Sequence, residues 1–280
     1  MRRDIRAELR GVIPEDKINH VTRSFDVIGS KGKAIAIIEI PEEVSMYEAE
    51  IGKALMRVQS NVKGVLSKDS ERTGEFRVRE LRVIAGVQNT EVIHKESGCR
   101  FRLDPKTVYF SPRESRERER ISTDVVDGEN VLVMFSGIAP LPICIARVNP
   151  ETTCTAVELN PEAHNYAVEN VHLNKVADRV KPIMGDVREV CAGMTPFDRV
   201  YMPLPKGAYA FLDVAAPLVR DGGVLGFYHW APGDDLWSEA EKLLREAFNA
   251  RNRDLEFINH VKVSQYNPKY WKIRVDARIQ

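Results

Sequence analysis

Between Asn130 and Asp186 the chain runs apolar strand, tight turn, helix, strand, acid, helix, strand, acid. The first run is Val131-Leu132-Val133-Met134-Phe135, which breaks at Ser136-Gly137-Ile138-Ala139-Pro140. The second is Thr155-Ala156-Val157-Glu158, and the third ends at Met184-Gly185-Asp186. Strands alternating with helices in this way commit a chain to a parallel α/β sheet. In such sheets ligands bind beyond the carboxyl ends of the strands. An acid at the tip of the second strand is placed to accept the two hydroxyls of a ribose. An acid at the tip of the third can accept an exocyclic amine of adenine.

That pair of acids suits adenosine without a pyrophosphate. The turn also lacks the G-x-G-x-x-G spacing that a pyrophosphate wants, so S-adenosylmethionine fits better than a dinucleotide. Asn160 is a candidate helix cap and Pro161 opens the following helix, which leaves Glu158 exposed at the strand edge. A buried strand end gains nothing from an unpaired carboxylate, so Glu158 and Asp186 read as ligand contacts.

The flanking regions read differently. Lys33–Ile40 predicts a strand ended by Pro41, and Ser45–Val58 predicts a helix with Ser45 as its N-cap and Glu48 three residues on. From Arg72 to Leu103 short alternating runs punctuated by Gly74, Gly86 and Gly98 predict an antiparallel sheet. An Arg- and Glu-rich helix is expected over Pro112–Ser122, and an amphipathic one over Ser238–Asn249. Two alternating runs, Phe257–Val263 and Trp271–Ile279, close the chain. The pattern shift predicts a smaller α+β domain over 1–106, followed by an α/β domain over 107–280.

Lys and Arg total 41 and Asp and Glu total 41, so a nucleic-acid partner would need a local basic surface. No apolar run reaches the roughly 20 residues that span a bilayer, and Met1-Arg2-Arg3-Asp4 has no apolar segment behind it. Cys99, Cys144, Cys154 and Cys191 form no C-x-x-C pair; Cys144 and Cys154 read as core residues of a reduced, cytoplasmic protein. His94, His164 and His172 lack metal-ligand spacing, so no metal is expected. There is no G-x-S-x-G and no P-loop. His229 beside Trp230 reads as a structural or loop residue.

Thr107-Val108-Tyr109-Phe110-Ser111-Pro112-Arg113 with Glu117-Arg118 resembles the Y-F-S-P-R-x3-E-R signature of archaeal and eukaryotic tRNA (guanine-37 N1) methyltransferases. Met134–Pro140 is similar to their M-F-A-G-x-G-P loop. Glu158-Leu159-Asn160-Pro161, Asp186-Val187-Arg188-Glu189, Leu204-Pro205-Lys206, Phe211-Leu212-Asp213 and Tyr266-Asn267-Pro268 continue the likeness in register. A sister family with the same scaffold transfers an aminocarboxypropyl group in wybutosine synthesis. The resemblance implies a Rossmann-like class I S-adenosylmethionine-dependent methyltransferase domain preceded by an RNA-binding one, with tRNA as partner and a monomeric state.

It further implies Glu117 as a base at guanine N1, Arg77 near O6, and Tyr109 lining the site. Cofactor contacts are implied for Tyr109, Phe135, Ser136, Gly137, Ile138, Pro140, Glu158, Leu159, Asp186, Val187 and Pro203. Arg79, Arg113, Arg116 and Lys206 are candidate tRNA contacts among many arginines with neighbouring glutamates. Locally, Glu117 would pass for part of a solvated, salt-bridged helix. Pro203 stands where the family has asparagine before Leu-Pro, and proline offers neither a side-chain amide nor a backbone N–H. Val133 replaces an acid, Ala139 replaces the second glycine of the loop, and the H-Y-Y after Gly223 is missing. Methyl transfer to guanosine 37 is the expected reaction. Aminocarboxypropyl transfer and tRNA binding without catalysis are the alternatives.

Overall fold

The computed structural model describes residues 4–70, 79–204 and 206–280, with the side chain of Tyr266 excepted. It divides into two compact units, Met1–Pro112 and Arg113–Gln280.

The first unit opens with two single-turn helices, α1 (Ile5–Glu8) and α2 (Glu15–Ile18), ahead of β1 (Phe25–Gly29) and β2 (Ala34–Ile38). Then come α3 (Glu48–Val58), β3 (Val62–Lys68) and β4 (Leu81–Gly86), and a hairpin of β5 (Val92–Glu96) and β6 (Cys99–Leu103). The first four strands form one sheet in the order β1-β2-β3-β4. β2 and β3 pair in parallel, joined by α3, and the outer pairs are antiparallel. The single antiparallel sheet expected over 72–103 is therefore absent among the described residues. β4 joins the four-stranded sheet, while β5 and β6 pair only with each other. Alternation marks a strand but not its partner.

The helix start also differs from expectation. Glu42–Tyr47 is a 3-10 turn, and α3 begins at Glu48 without a side-chain cap. Ser45 Oγ donates to the Glu42 carbonyl at 2.8 Å instead, so it serves the turn that precedes the helix. Ile51, Ala54 and Leu55 of α3 share a core with Ala36 and Ile38 of β2 and Val65 of β3.

The second unit begins with a 3-10 turn at Pro112–Glu114 leading into α4 (Ser115–Asp124). It continues β7 (Asn130–Met134), α5 (Pro140–Val148), β8 (Thr153–Glu158), α6 (Pro161–Leu173), β9 (Val180–Met184), α7 (Val187–Val190) and β10 (Phe197–Met202). α8 (Leu212–Ala215), β11 (Val219–Pro232), α9 (Ser238–Asn249), β12 (Leu255–Asn267) and β13 (Tyr270–Ile279) complete it. The seven strands order as β12-β13-β11-β10-β7-β8-β9. Six run in one direction, and β13 inserts antiparallel between β11 and β12. The order reverses between β7 and β10, the switch point where such sheets open a crevice. The expected Rossmann-like architecture behind an α+β unit is what the chain forms.

One face of β13 packs Ile273, Val275, Ala277 and Ile279 into the core with Leu244 and Phe248 of α9. All four cysteines are buried thiols, and burial pushes Cys154 up to about 12 and Cys191 up to about 11. Among the described residues no helix is long and apolar enough to cross a membrane.

Candidate functional site

The turn after β7 is tightly wound. Phe135, Gly137 and Ala139 have φ of 57°, 56° and 61°, alternating with residues of negative φ. Ser136 N–H donates to the Val157 carbonyl at 2.9 Å and Ala139 N–H to the Ser136 carbonyl at 3.0 Å, which closes the turn on itself and on β8. Two of the three are not glycine, and an L-residue there is strained by roughly 1–2 kcal/mol. Gly137 N–H turns instead to Glu158 Oε2, to which it donates at 2.6 Å. Oε1 of the same carboxylate accepts Asn160 N–H at 2.9 Å. Glu158 is thus half-buried and tethered rather than exposed and unpaired. Burial raises its pKa, against the pull of the backbone N–H groups of Asn160, Gly137 and Leu159. Oε2 keeps a lone pair for one further donor such as a hydroxyl. Asn160 caps α6 and Pro161 opens it, as the sequence predicts.

Ser136 lies at the bottom of the turn, 5 % exposed, and its Oγ is buried without a hydrogen-bond partner. An orphaned hydroxyl is costly in a folded protein, which makes this one a candidate partner for a polar ligand atom. Ile138 is fully buried, so only its backbone faces the turn; Pro140 opens α5. At the tip of β9, Asp186 caps α7 by accepting Arg188 N–H at 2.8 Å. The Arg188 guanidinium lies 3.9 Å over the Phe211 ring, and Phe211 meets Phe135 edge-on at 4.9 Å. Val187 is buried and Leu159 half-buried. β10 ends at Met202, whose carbonyl accepts Leu204 N–H at 2.7 Å, so half-buried Pro203 sits at the apex of a tight bend. These residues share one sheet edge.

Glu117 of α4 stands apart from the solvated-helix pattern of its neighbours: it is 4 % exposed. Its Oε1 accepts the Tyr228 hydroxyl at 2.9 Å and Arg274 Nη1 at 2.5 Å. Oε2 accepts Arg120 Nη1 at 2.7 Å. Arg274 is fully buried and also donates to Asp276 at 3.0 Å and Asp124 at 3.3 Å. Burial works against its charge, but the acidic groups Tyr228, Asp276 and Glu117 outweigh that and raise its pKa. Burial, with Glu117 beside it, drives the Tyr228 phenol far above its ordinary value and keeps it a neutral donor. One turn earlier, Glu114 pairs with buried Lys272 at 2.9 Å. The sequence does not single out Lys272 or Arg274, and it picks out Asp276 only through the family likeness of Val275-Asp276. Their alternation with Ile273, Val275 and Ala277 reads as a half-exposed strand, although α4 covers that face.

Tyr109 is half-buried and belongs to the first unit, as does Arg79; Arg77 lies outside the described residues. Arg113 and Arg116 are exposed on and just before α4, and Lys206 is exposed after the β10 bend. His229 is buried against Phe227, with ring centroids 5.8 Å apart, consistent with a structural residue.

Residues 92–257 match the family model of the TRM5/TYW2 methyltransferase domain. The chain belongs to that family. Residues 5–90 match the TYW2 N-terminal domain. Over 267 residues the chain is 40% identical to the Pyrococcus abyssi tRNA (guanine(37)-N(1))-methyltransferase Trm5b, covering 95% of this chain and 78% of that protein. It superposes on the complex structure of aTrm5 and tRNALeu with a TM-score of 0.86 at 33% identity, over 100% of this chain and 79% of that one. Pyrococcus horikoshii TYW2 in complex with MeSAdo superposes at 0.81 with 26% identity, over 98% and 97%. This TRM5/TYW2 family member therefore resembles both branches along nearly its whole length.

Proposed function

We propose that this protein methylates N1 of guanosine 37 in tRNA, using S-adenosylmethionine. The observation that carries the reading is the 40% identity to a tRNA (guanine(37)-N(1))-methyltransferase over 95% of the chain. The turn fits the cofactor: an orphaned Ser136 hydroxyl, a free lone pair on Glu158, and Asp186 at the next strand tip are donors and acceptors for an adenosine. When bound, S-adenosylmethionine supplies the methyl carbon, and its sulfur keeps the electron pair of the broken bond.

Guanine N1 carries a proton at neutral pH and becomes nucleophilic only when that proton leaves. Glu117 is our candidate for the group that takes it. Its two oxygens offer about four lone-pair sites in all, of which Tyr228, Arg274 and Arg120 occupy three, so Oε2 retains one. The N1–H bond breaks toward that oxygen, and the pair left on N1 forms the new bond to carbon. A cation near O6 would balance the charge that builds there; by family resemblance this is Arg77. The Pro203 carbonyl would accept from the guanine amino group, and its ring would pack on a base turned out of the stack. The first unit would grip tRNA through Arg79, and the second through Arg113, Arg116 and Lys206. A cytoplasmic location follows from that substrate.

Pro203 favours one second reading, aminocarboxypropyl transfer to the same nucleotide, because the asparagine of the methyltransferase motif is gone. The primary reading is tested with methyl-labelled S-adenosylmethionine and two tRNA transcripts, one with guanosine and one with adenosine at position 37. Label entering only the guanosine transcript is the expected result. Equal labelling of both, or of neither, contradicts it.

A further inference from the structure

β13 lies between β11 and β12 with both faces covered, yet its α4-facing row is Lys272, Arg274 and Asp276, all buried. Alternate strand residues are spaced about 6.6–6.8 Å apart, and residues three apart in sequence are neighbours on one helix face. The two periods mesh. Glu114 meets Lys272 and Glu117 meets Arg274, at 2.9 and 2.5 Å. On β11, Tyr228 is the register partner of Arg274, so phenol and guanidinium converge from adjacent strands on one atom, Glu117 Oε1. Lys272 Nζ lies 4.9 Å from the centre of the Tyr228 ring and backs the phenol. Asp276 and Asp124 hold Nη2 of the Arg274 guanidinium.

A buried ion pair of this kind is weak evidence for stability, since desolvating the charges offsets most of their attraction. Its yield is geometric. Oε1 is fixed by two donors that are themselves buried and partnered. Among the described residues Oε2 is met only by Arg120, whose side chain is 42% exposed. The two oxygens of one carboxylate are therefore not equivalent.

We propose that Arg274 and Tyr228 are positioning residues that lock Glu117 Oε1 to the sheet and present Oε2 as the oxygen that receives the guanine N1 proton. This rests on the reading of Glu117 as the base. Neither residue touches the substrate; both act through Glu117, and Arg120 takes one of the two lone-pair sites of Oε2.

The test is a double-mutant cycle on the full chain with Tyr228→Phe, Glu117→Gln and the pair, read three ways: turnover, tRNA binding and urea unfolding. Tyr228→Phe removes one hydroxyl and is expected to lower kcat about tenfold, the size of a lost hydrogen bond to a charged group, with KM for tRNA within about twofold of the parent. Glu117→Gln is expected to be slower still, and the double variant no slower than Glu117→Gln alone. Non-additive unfolding energies would report the contact independently of turnover. Arg274→Lys keeps the charge and loses the fork, so its kcat should fall between those of the parent and Glu117→Gln. Parental turnover in Glu117→Gln would overturn the base assignment itself. A slow Glu117→Gln with an unslowed Tyr228→Phe would overturn the positioning role alone. So would a full Tyr228→Phe loss persisting on top of Glu117→Gln.

Discussion

Glu158 ties down the β7 turn through Gly137 and is our candidate cofactor contact, so its replacement should be felt twice. Glu158→Gln turns an N–H donor toward Gly137 or Asn160, one of which then loses its acceptor. S-adenosylmethionine binding, measured by calorimetry, should weaken by about 1–3 kcal/mol. Unaltered affinity would remove Glu158 from the site. The same residue sets a pH signature, because burial holds its folded pKa above the ordinary 4.5. As pH rises from that value, the unfolded chain ionises first, so the native state loses stability until the folded group also ionises. Below 4.5 the effect vanishes. The unfolding free energy of Glu158→Gln relative to the parent, from urea titrations at stepped pH, should therefore improve through that window and level off above it. A flat difference would contradict the burial. The position of the acid at the end of β8 is legible, because it closes an apolar run before Asn-Pro. Its tether to Gly137 is not, since that bond joins residues 21 apart in sequence.

Elements were legible where one period sufficed. The helix at Ser238–Asn249 and the strands of the parallel sheet follow directly from apolar spacing. β13 shows where pattern misleads: strict alternation describes a strand with one wet face, whereas α4 buries the charged face against its own glutamates. The first-unit sheet misleads differently, because the parallel pairing of β2 and β3 depends on a crossover through α3 that no local alternation announces. β11 shows what the charged layer demands of its neighbours. Tyr201, Gly226 and Asp276 lie in one register row across β10, β11 and β13. A Cβ built on Gly226 would stand 2.4 Å from the ring of fully buried Tyr201 and 3.3 Å from Asp276. Neither neighbour can retreat. Gly226→Ala should accordingly cost about 1–3 kcal/mol of stability, the range for overpacking a filled core. An unchanged urea midpoint would mean that the row is looser than its register implies.

At the scale of the whole chain, equal numbers of cations and anions hide how the cations are used. Arg82 is held by Glu48 and Asp69, and Arg102 by Glu91. Arg274 and Lys272 are spent inside the second unit. The arginine-rich run over 113–120 thus splits into Arg118, which is buried, Arg120, which pairs with Glu117, and Arg113 and Arg116, which are exposed. Composition alone could not separate them, because burial rather than count decides which charges reach a phosphate. The same folding that sequesters Arg274 fixes the Glu117 carboxylate, the group proposed as the base. The measurement that tests this most directly is mass spectrometry of the nucleosides from unmodified tRNA incubated with the protein and S-adenosylmethionine. The account predicts a single methyl group on guanosine 37. An aminocarboxypropyl adduct there, or tRNA that is bound and left unmodified, would contradict it.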